Sequence, residues 1–483
     1  MASLSFSTLG DLPLAVKKPQ YNVNATRSGI VHLGPGAFHR AHQAVYTDLA
    51  MAHGGNWRID AVSLRSKTLK HTLANQDNLY SLAILDEEPY RQIIGAINQV
   101  FVLDEDRSAI MASLVSPSTH IISLTITEKG YCLDSQGQLD MNNPDIQHDL
   151  NSPQTPVTAI GLLVETLRVR KALALNKLTI ISCDNVSNNG SKLGAAVIAL
   201  AQRRDNELAH WISDTICFPN TMVDSITPAT DASLRDQTES ALGVRDAWPI
   251  QREAFAQWVI EDKFSGPRPA WEKVGVTFTD DVNVFEKAKL RVLNGAHSTL
   301  AYMGLLFNFD TVFEAMSHSG IEAFIRRLID TEILPTIDAG EKIDLSRYAE
   351  AILSRFHNRH IRHLLSQIAW DGSQKLPLRI LNTIRDRLKA NASIHLLAVP
   401  IAAWLLFIAM RQNQSETITD PKAEHLLSLA QRHNNDIHAF TDRVLNESDV
   451  FAELSNNQTF RTCVHAQVEA LSNTSLEICL AKL

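Results

Sequence analysis

GIVHLGPGAFHRAHQAVYTDLAMAH, residues 29–53, runs from a short apolar stretch through two glycines and a proline into a helix-compatible segment. Gly29–Leu33 reads as a strand, Gly34-Pro35-Gly36 as a turn, and the residues from Phe38 onward as a helix. Two glycines after a strand allow a tight turn and close approach of another group to the backbone. The start of the following helix favours the negative charge of a pyrophosphate. His39 stands where the third glycine of the usual dinucleotide fingerprint would be, so the same residues serve equally well as a purely structural turn.

Outward from this stretch, the chain alternates strands and helices. Arg58–Leu64 reads as a second strand, 93–103 as one strand or a pair, and THIISLTIT (119–127) as a buried strand. Ala159–Leu173 has helical periodicity, Leu178–Ser182 is a further strand, and Lys192–Arg203 a further helix. That alternation predicts a parallel, doubly wound sheet. Residues 1–28, punctuated by Pro13 and Pro19, read as an irregular lead-in. Beyond Asp280 strand patterns stop and helical ones follow one another: 321–330, 345–356, 361–369, 377–390 and 396–410. The Pro- and Gly-bearing FSGPRPAW (264–271) precedes the change. The expected fold is α/β: an N-terminal dinucleotide-binding Rossmann-type domain, residues 1–283, followed by an all-α domain, residues 284–483.

At 483 residues the chain is too long for one core, which agrees with two domains. A net charge of −8 and a pI near 6.1 argue against nucleic acid or an anionic membrane as partner. The five cysteines (132, 183, 217, 463 and 479) are scattered and odd in number, which points to a reducing compartment, the cytoplasm, and to neither a disulfide framework nor a cysteine-based zinc site. LLAVPIAAWLLFIAM (396–410) is short of the ~20 residues a membrane span needs and reads as a buried helix. No secretion signal is expected at the N-terminus. The closing Ala-Lys-Leu resembles a relaxed peroxisomal tail and is read as chance.

Three motifs carry polar chemistry besides the glycine turn. Ser182-Cys183-Asp184-Asn185 ends a parallel strand, where ligands bind in doubly wound sheets; a helix cap is the plainer reading. At the end of the second strand, Arg65, Ser66 and Lys67 replace the acid expected to hold ribose hydroxyls. They suit a 2′-phosphate as well as a plain ribose. His39-Arg40-Ala41-His42 and the run His357 to His363 have histidines three apart, but no carboxylate or cysteine at matching spacing. They read as solvated or phosphate-facing helix surfaces, with no metal expected.

The last motif is VFEKAKLRVLNGAHSTLAYMGLL (284–306). At ~100° per residue, Glu286, Lys289 and His297 fall within roughly 80° of each other, with Asn294 on the edge of the sector and Leu293 and Leu300 inside it. A surface helix would segregate these polar residues from the leucines. A snorkelling lysine and a satisfied core histidine are the plainer account. A lysine desolvated by apolar neighbours is also a usable acid/base near neutral pH, and asparagine amides stabilise a developing oxyanion.

Taken together, GIVHLGPGAFHRAHQ, LTITEKGYC, SCDNVSNNG, FPNTMVDSITP, QWVIEDKF, KLRVLNGAHS and DGSQKLPLR resemble the polyol-specific long-chain dehydrogenase (mannitol dehydrogenase) family, from about residue 29 to about residue 380. The combination Lys289-x4-Asn294-x2-His297 with Asn185 is specific to it. TEKGYC and DGSQKLP are most similar to its fructuronate reductase branch. The resemblance implies an NAD-dependent enzyme that reduces a hexuronate ketone, D-fructuronate to D-mannonate, without a metal. It implies Lys289 as acid/base, Asn185 and Asn294 on the reacting oxygen, His297 orienting the substrate, and Glu286 as a proton relay. The turn Gly34, Pro35, Gly36, Ala37 and Phe38 would carry the cofactor, with Arg65 and Ser66 near its ribose and Glu128 at the edge of the site. Asp224 and Lys375 would bind the sugar acid, with Arg362 and Arg379 assisting at its carboxylate.

Two departures from the family pattern stand out. Ser225 follows Asp224 where the family usually has arginine, and Gln367 stands where the mannitol branch has arginine, eight positions before Lys375. NADP stays open beside NAD because no acid stands near Ser66. Two other readings remain: a polyol dehydrogenase interconverting mannitol or arabinitol with its ketose, and a catalytically silent dinucleotide-binding protein. The expected partner is a small sugar acid or polyol, and the chain is expected to be a monomer or a homo-oligomer.

Overall fold

The structure is a computed structural model that describes residues 2–434, 436–472 and 475–482. Of the terminal Ala-Lys-Leu, Leu483 and the two preceding side chains lie outside the described residues. The chain divides into two compact units, Met1–Asn283 and Val284–Leu483.

The strands of the first unit are β1 (Ser28–Leu33), β2 (Arg58–Ser63), β3 (Tyr80–Leu85), β4 (Tyr90–Ile94), β5 (Ile97–Val102), β6 (Ile121–Leu124), β7 (Thr179–Ser182), β8 (Thr221–Asp224), β9 (Ile250–Glu253), β10 (Gln257–Glu261) and β11 (Thr277–Thr279). Five of them make a parallel sheet in the order β5-β2-β1-β6-β7. Successive side chains alternate between two cores, as strand geometry requires. Ile30, Ile59, Ala61 and Ile121 join the helix Gln43–Ala50 on one face. Val31, Leu33, Val62, Ile122 and Leu124 join Ala159–Ala172 and Asn189–Arg204 on the other. Burial on both faces explains why these strands read as unbroken apolar runs. From β1 the chain moves outward to β2 on one side and resumes with β6 on the other. The order reverses between β1 and β6, and ligands bind at the carboxyl ends of strands beside such a reversal.

Two smaller sheets, β11-β10-β8 and β4-β3-β9, complete the unit. The expected strand or pair at 93–103 is a pair split at Gly95, and its halves β4 and β5 belong to different sheets. The lead-in is irregular yet packed: Leu4, Leu12 and Val16 share a core with Leu79, Ile93 and Leu242.

The elements of the second unit are helices. Its apolar segment forms the helix Ala398–Asn413, with Pro400 in the first turn, where no intrahelical donor is lost. Among the described residues no helix is long and apolar enough to cross a membrane. The expected helix 361–369 is helical only at Leu365–Ile368, so His357 to His363 do not lie on a helix surface.

Candidate active site

β1 leads into Gly34, whose φ of +87° only glycine adopts without strain. A Cβ there would also lie 2.2 Å from the Thr125 carbonyl oxygen at the end of β6. Gly36 is exposed, and a Cβ on it would meet nothing closer than 4.0 Å. The turn therefore has tight packing beneath and open space above, a cradle that fits a pyrophosphate. The helix that follows starts at Ala37 and is uncapped by any side chain. It breaks at His42, giving Ala37–Ala41 and Gln43–Ala50 instead of one continuous helix.

The missing third glycine has a structural explanation. That glycine normally lets the helix approach the strand closely. Here the His39 ring stacks flat on His32 of β1, with centroids 3.5 Å apart and planes 12° apart. His32 is fixed by Ser123 (2.8 Å) and Thr125 (2.9 Å), and Thr125 Oγ1 donates to the Gly34 carbonyl (2.7 Å). Burial lowers the His32 pKa to about 3, and burial with the neighbouring charges of His32, Arg40 and His42 holds His39 well below its usual range. The expectation of a solvated or phosphate-facing surface is corrected: His39, Arg40 and His42 are buried, His39 against His32 of β1, Arg40 against Trp248 and His42 against Gln257 and Trp258.

At the end of β7, the Asp184 carboxylate accepts from the backbone N–H of Ile126 (3.0 Å) and Thr127 (2.8 Å) and from the Tyr131 hydroxyl (2.7 Å). It thereby ties the β6 end to the β7 end. Thr127 adopts φ 65° and ψ 165°, a region almost confined to glycine and costing about 1–3 kcal/mol. The Asp184 acceptor helps hold it there. Glu128 follows, exposed, at the head of a one-turn helix, and Asn185 is exposed just past β7. Asn189 closes the same loop, bonding the Asp184 carbonyl (3.0 Å) and both the N–H and carbonyl of Thr221.

Arg65 and Ser66 are exposed beyond β2, where the Ser66 carbonyl accepts from Ser63 (2.5 Å). Lys67 is paired with Glu105 at 2.8 Å, so the positive charge offered beside Ser66 is smaller than the sequence suggests. Asp224 is buried at the end of β8. Ser225, in the place of the family arginine, donates to the Phe255 carbonyl at 3.0 Å.

In the second unit the polar segment is not a plain α-helix. Residues Lys289–Asn294 form a wider turn with i→i+5 bonding between the α-helices Asn283–Ala288 and Gly295–Leu306. Positions five apart then sit about 50° apart, and everything downstream is turned back by roughly 100°. Asn294 moves from the edge of the polar sector into it, between Glu286 and Lys289, and His297 stays beside them. Arg291 donates to Asp386 (2.6 Å), and Lys287 reaches the same oxygen at 3.8 Å. Lys289 projects roughly 160° away from that pair by the same geometry.

His297 is buried, with Nε2 unbonded among the described residues. Its ring lies 4.6 Å from Phe356 and 4.9 Å from His363. Burial first, then the charges of His363, Arg355 and Arg379, holds its pKa well below the usual range, so it is neutral near pH 7. Arg379 donates to Ser298 (3.1 Å) and stands one turn after Lys375. The DGSQK turn holds Lys375 in place. Asp371 takes φ 57°, Ser373 bonds Asp420 through N–H and hydroxyl, and a Cβ on Gly372 would lie 2.4 Å from the Tyr302 hydroxyl. Burial and then Arg379 lower the Lys375 pKa, opposed by Asp371 and Asp420. Arg362 is exposed on the 357–364 segment. The guanidinium acting on both His297 and His363 is instead Arg355, which no motif marked because it closes an ordinary amphipathic helix, Leu345–Phe356. Among the described residues no group of three or more His, Cys, Asp or Glu is arranged to hold a metal.

Residues 28–273 match the model of the mannitol dehydrogenase Rossmann domain, and residues 281–472 that of the mannitol dehydrogenase C-terminal domain. The chain is 40% identical to D-mannonate oxidoreductase of Escherichia coli K12, covering 99% of this chain and 100% of that one. It is 35% identical to mannitol 2-dehydrogenase of Cereibacter sphaeroides, covering 97% and 98%. Among solved structures, the Pseudomonas fluorescens mannitol 2-dehydrogenase complex with NAD and D-mannitol is similar at 37% identity and a TM-score of 0.82, with 99% of each chain covered. A glycine turn at the β1–β6 reversal, a helical second unit and both family models agree: the chain belongs to the mannitol dehydrogenase family of oxidoreductases.

Proposed function

We propose that the protein reduces D-fructuronate to D-mannonate with NADH, reversibly. The observation that carries this reading is a group of cations, Arg355 and Arg379 acting on His297 and Lys375 acted on by Arg379. A uronate differs from a hexitol in its carboxylate, which needs fixed cations. Lys375 and Arg379 stand one turn apart, Arg379 beside His297 and bonded to a hydroxyl, and Arg355 adds a third charge. The mannitol branch's arginine is replaced here by Gln367. The E. coli relative of 40% identity is a D-mannonate oxidoreductase, which supports the same substrate.

Gly34, Pro35, Gly36, Ala37 and Phe38 would hold the dinucleotide, with Arg65 and Ser66 at its ribose and Glu128 beside it; once bound, it supplies the hydride. In reduction Lys289 gives a proton to the ketone oxygen and regains one from solvent through Glu286. Asn185 and Asn294 donate to that oxygen as its charge develops. His297, neutral, orients the substrate by hydrogen bonding, Asp224 accepts from a sugar hydroxyl, and Lys375 with Arg379 holds the carboxylate. The pairing of Lys67 with Glu105 favours NAD over NADP. Cys132, Cys183, Cys217 and Cys463 are free thiols, which suits a cytoplasmic setting.

The second reading, a polyol–ketose interconversion, is favoured by the 37% likeness to the mannitol 2-dehydrogenase complex. Turnover on fructuronate and fructose, each with NADH and NADPH, separates the two. We expect kcat/KM to be highest for fructuronate with NADH; equal or better turnover of fructose would overturn the uronate assignment. No turnover of either ketone would favour a silent dinucleotide-binding protein.

A further inference from the structure

We propose that His363 is a second substrate-binding imidazole, working beside His297 on a sugar hydroxyl. This assignment rests on the reading of His297 as a substrate-orienting group. His363 closes the 357–364 segment, and its backbone is pinned at both ends: its N–H donates to the Ile361 carbonyl (2.9 Å), and its carbonyl accepts from Val312 (3.0 Å). Its ring meets the His297 ring edge-on, at 4.9 Å and 85°. It is only half buried, and its ring nitrogens have no hydrogen-bond partner among the described residues. A polar ring held against the substrate-orienting histidine, its backbone pinned and its nitrogens open to solvent, is placed to bond a ligand. Arg355 is close enough to act on both imidazoles. Burial and that charge lower the His363 pKa to about 4, so near neutral pH it offers one N–H and one lone pair. That pair suits a hydroxyl, which both donates and accepts, and leaves the carboxylate to Lys375 and Arg379. The histidine run in the sequence thus has one member with a direct use.

The test is His363→Phe, which keeps a ring against His297 and removes both nitrogens. We expect the KM for the sugar substrate to rise about three- to tenfold, the value of one neutral hydrogen bond. The KM for NADH and the thermal midpoint should stay at wild-type values, and His363→Asn should recover part of the loss. A sugar KM unchanged in His363→Phe would overturn the assignment. So would a rise matched by equal losses in NADH affinity and thermal stability, the mark of a structural role. The measurement uses whichever ketone the wild-type enzyme reduces better. A preference for fructose would refute the uronate reading while still deciding the role of His363, and a wild type that reduces neither would overturn both.

Discussion

Lys289 and the two residues flanking it at i±2 show how position, not residue type, assigns a role. Lys287, Lys289 and Arg291 are all cations within five residues, yet Lys287 and Arg291 share Asp386 and are spent on structure. Lys289 lies on the opposite side, in the sector of Glu286, Asn294 and His297. Replacing it tests the mechanism directly. Lys289→Ala should lower kcat by about 10²–10⁴-fold, the usual worth of a positioned acid/base, while a fluorescence titration finds NADH bound as in the wild type. Turnover that survives the change would assign the proton transfer elsewhere.

The decisive element is the wide turn at Lys289–Asn294. Its extra residue costs hydrogen-bond geometry and gains phase: it brings Asn294 alongside Lys289. Inserting one alanine after Leu290 should leave the flanking helices intact and rotate Lys289 away from Asn294 and His297 by roughly 100°. Helix content by circular dichroism should then persist while kcat falls at least as far as in Lys289→Ala. Activity retained in the insertion would mean that the phase of this turn does not matter. The glycine turn at β1 uses the opposite device. There a flat ring stack of His32 on His39 replaces the close packing that a glycine gives, so the helix is held by aromatic contact.

Across the whole molecule, buried titratable groups set how stability varies with pH. His32 (to about 3) and His363 (to about 4) are lowered mainly by burial, as are His39 and His297, so all four stay neutral in the fold. Below the unfolded histidine value near 6.5 the unfolded chain binds more protons than the native one, and stability is lost as pH falls. Asp48, raised by burial to about 7, and Asp184, raised by burial, act the other way: native but not unfolded carboxyls hold protons above about pH 4, so their contribution is lost as pH rises. Four histidines outweigh two acids, at no more than about 1.4 kcal/mol per pH unit for each net proton. Urea midpoints should therefore be lower at pH 5 than at pH 7. A midpoint that rises on acidification would mean that the aspartates dominate.

Alternating strands and helices, the glycine turn and the shift to helices near residue 283 were legible in the sequence, because periodicity and turn chemistry are local. Lys289, Asn294 and His297 were legible as a polar stripe in an apolar helix. Their true phase was not, since nothing in the spacing announces an i→i+5 turn. His39 and His42 read as surface residues because a helix carries no local mark of which face meets the sheet. Arg355 and His363 were invisible as a pair, being eight residues apart across a helix end, and only the tertiary fold brings them to His297. Sequence by itself determined the fold class and named the candidate residues. Tertiary structure decided that Lys287 and Arg291 share Asp386 and that Lys67 meets Glu105, because charge pairing depends on through-space distance that chain order does not encode.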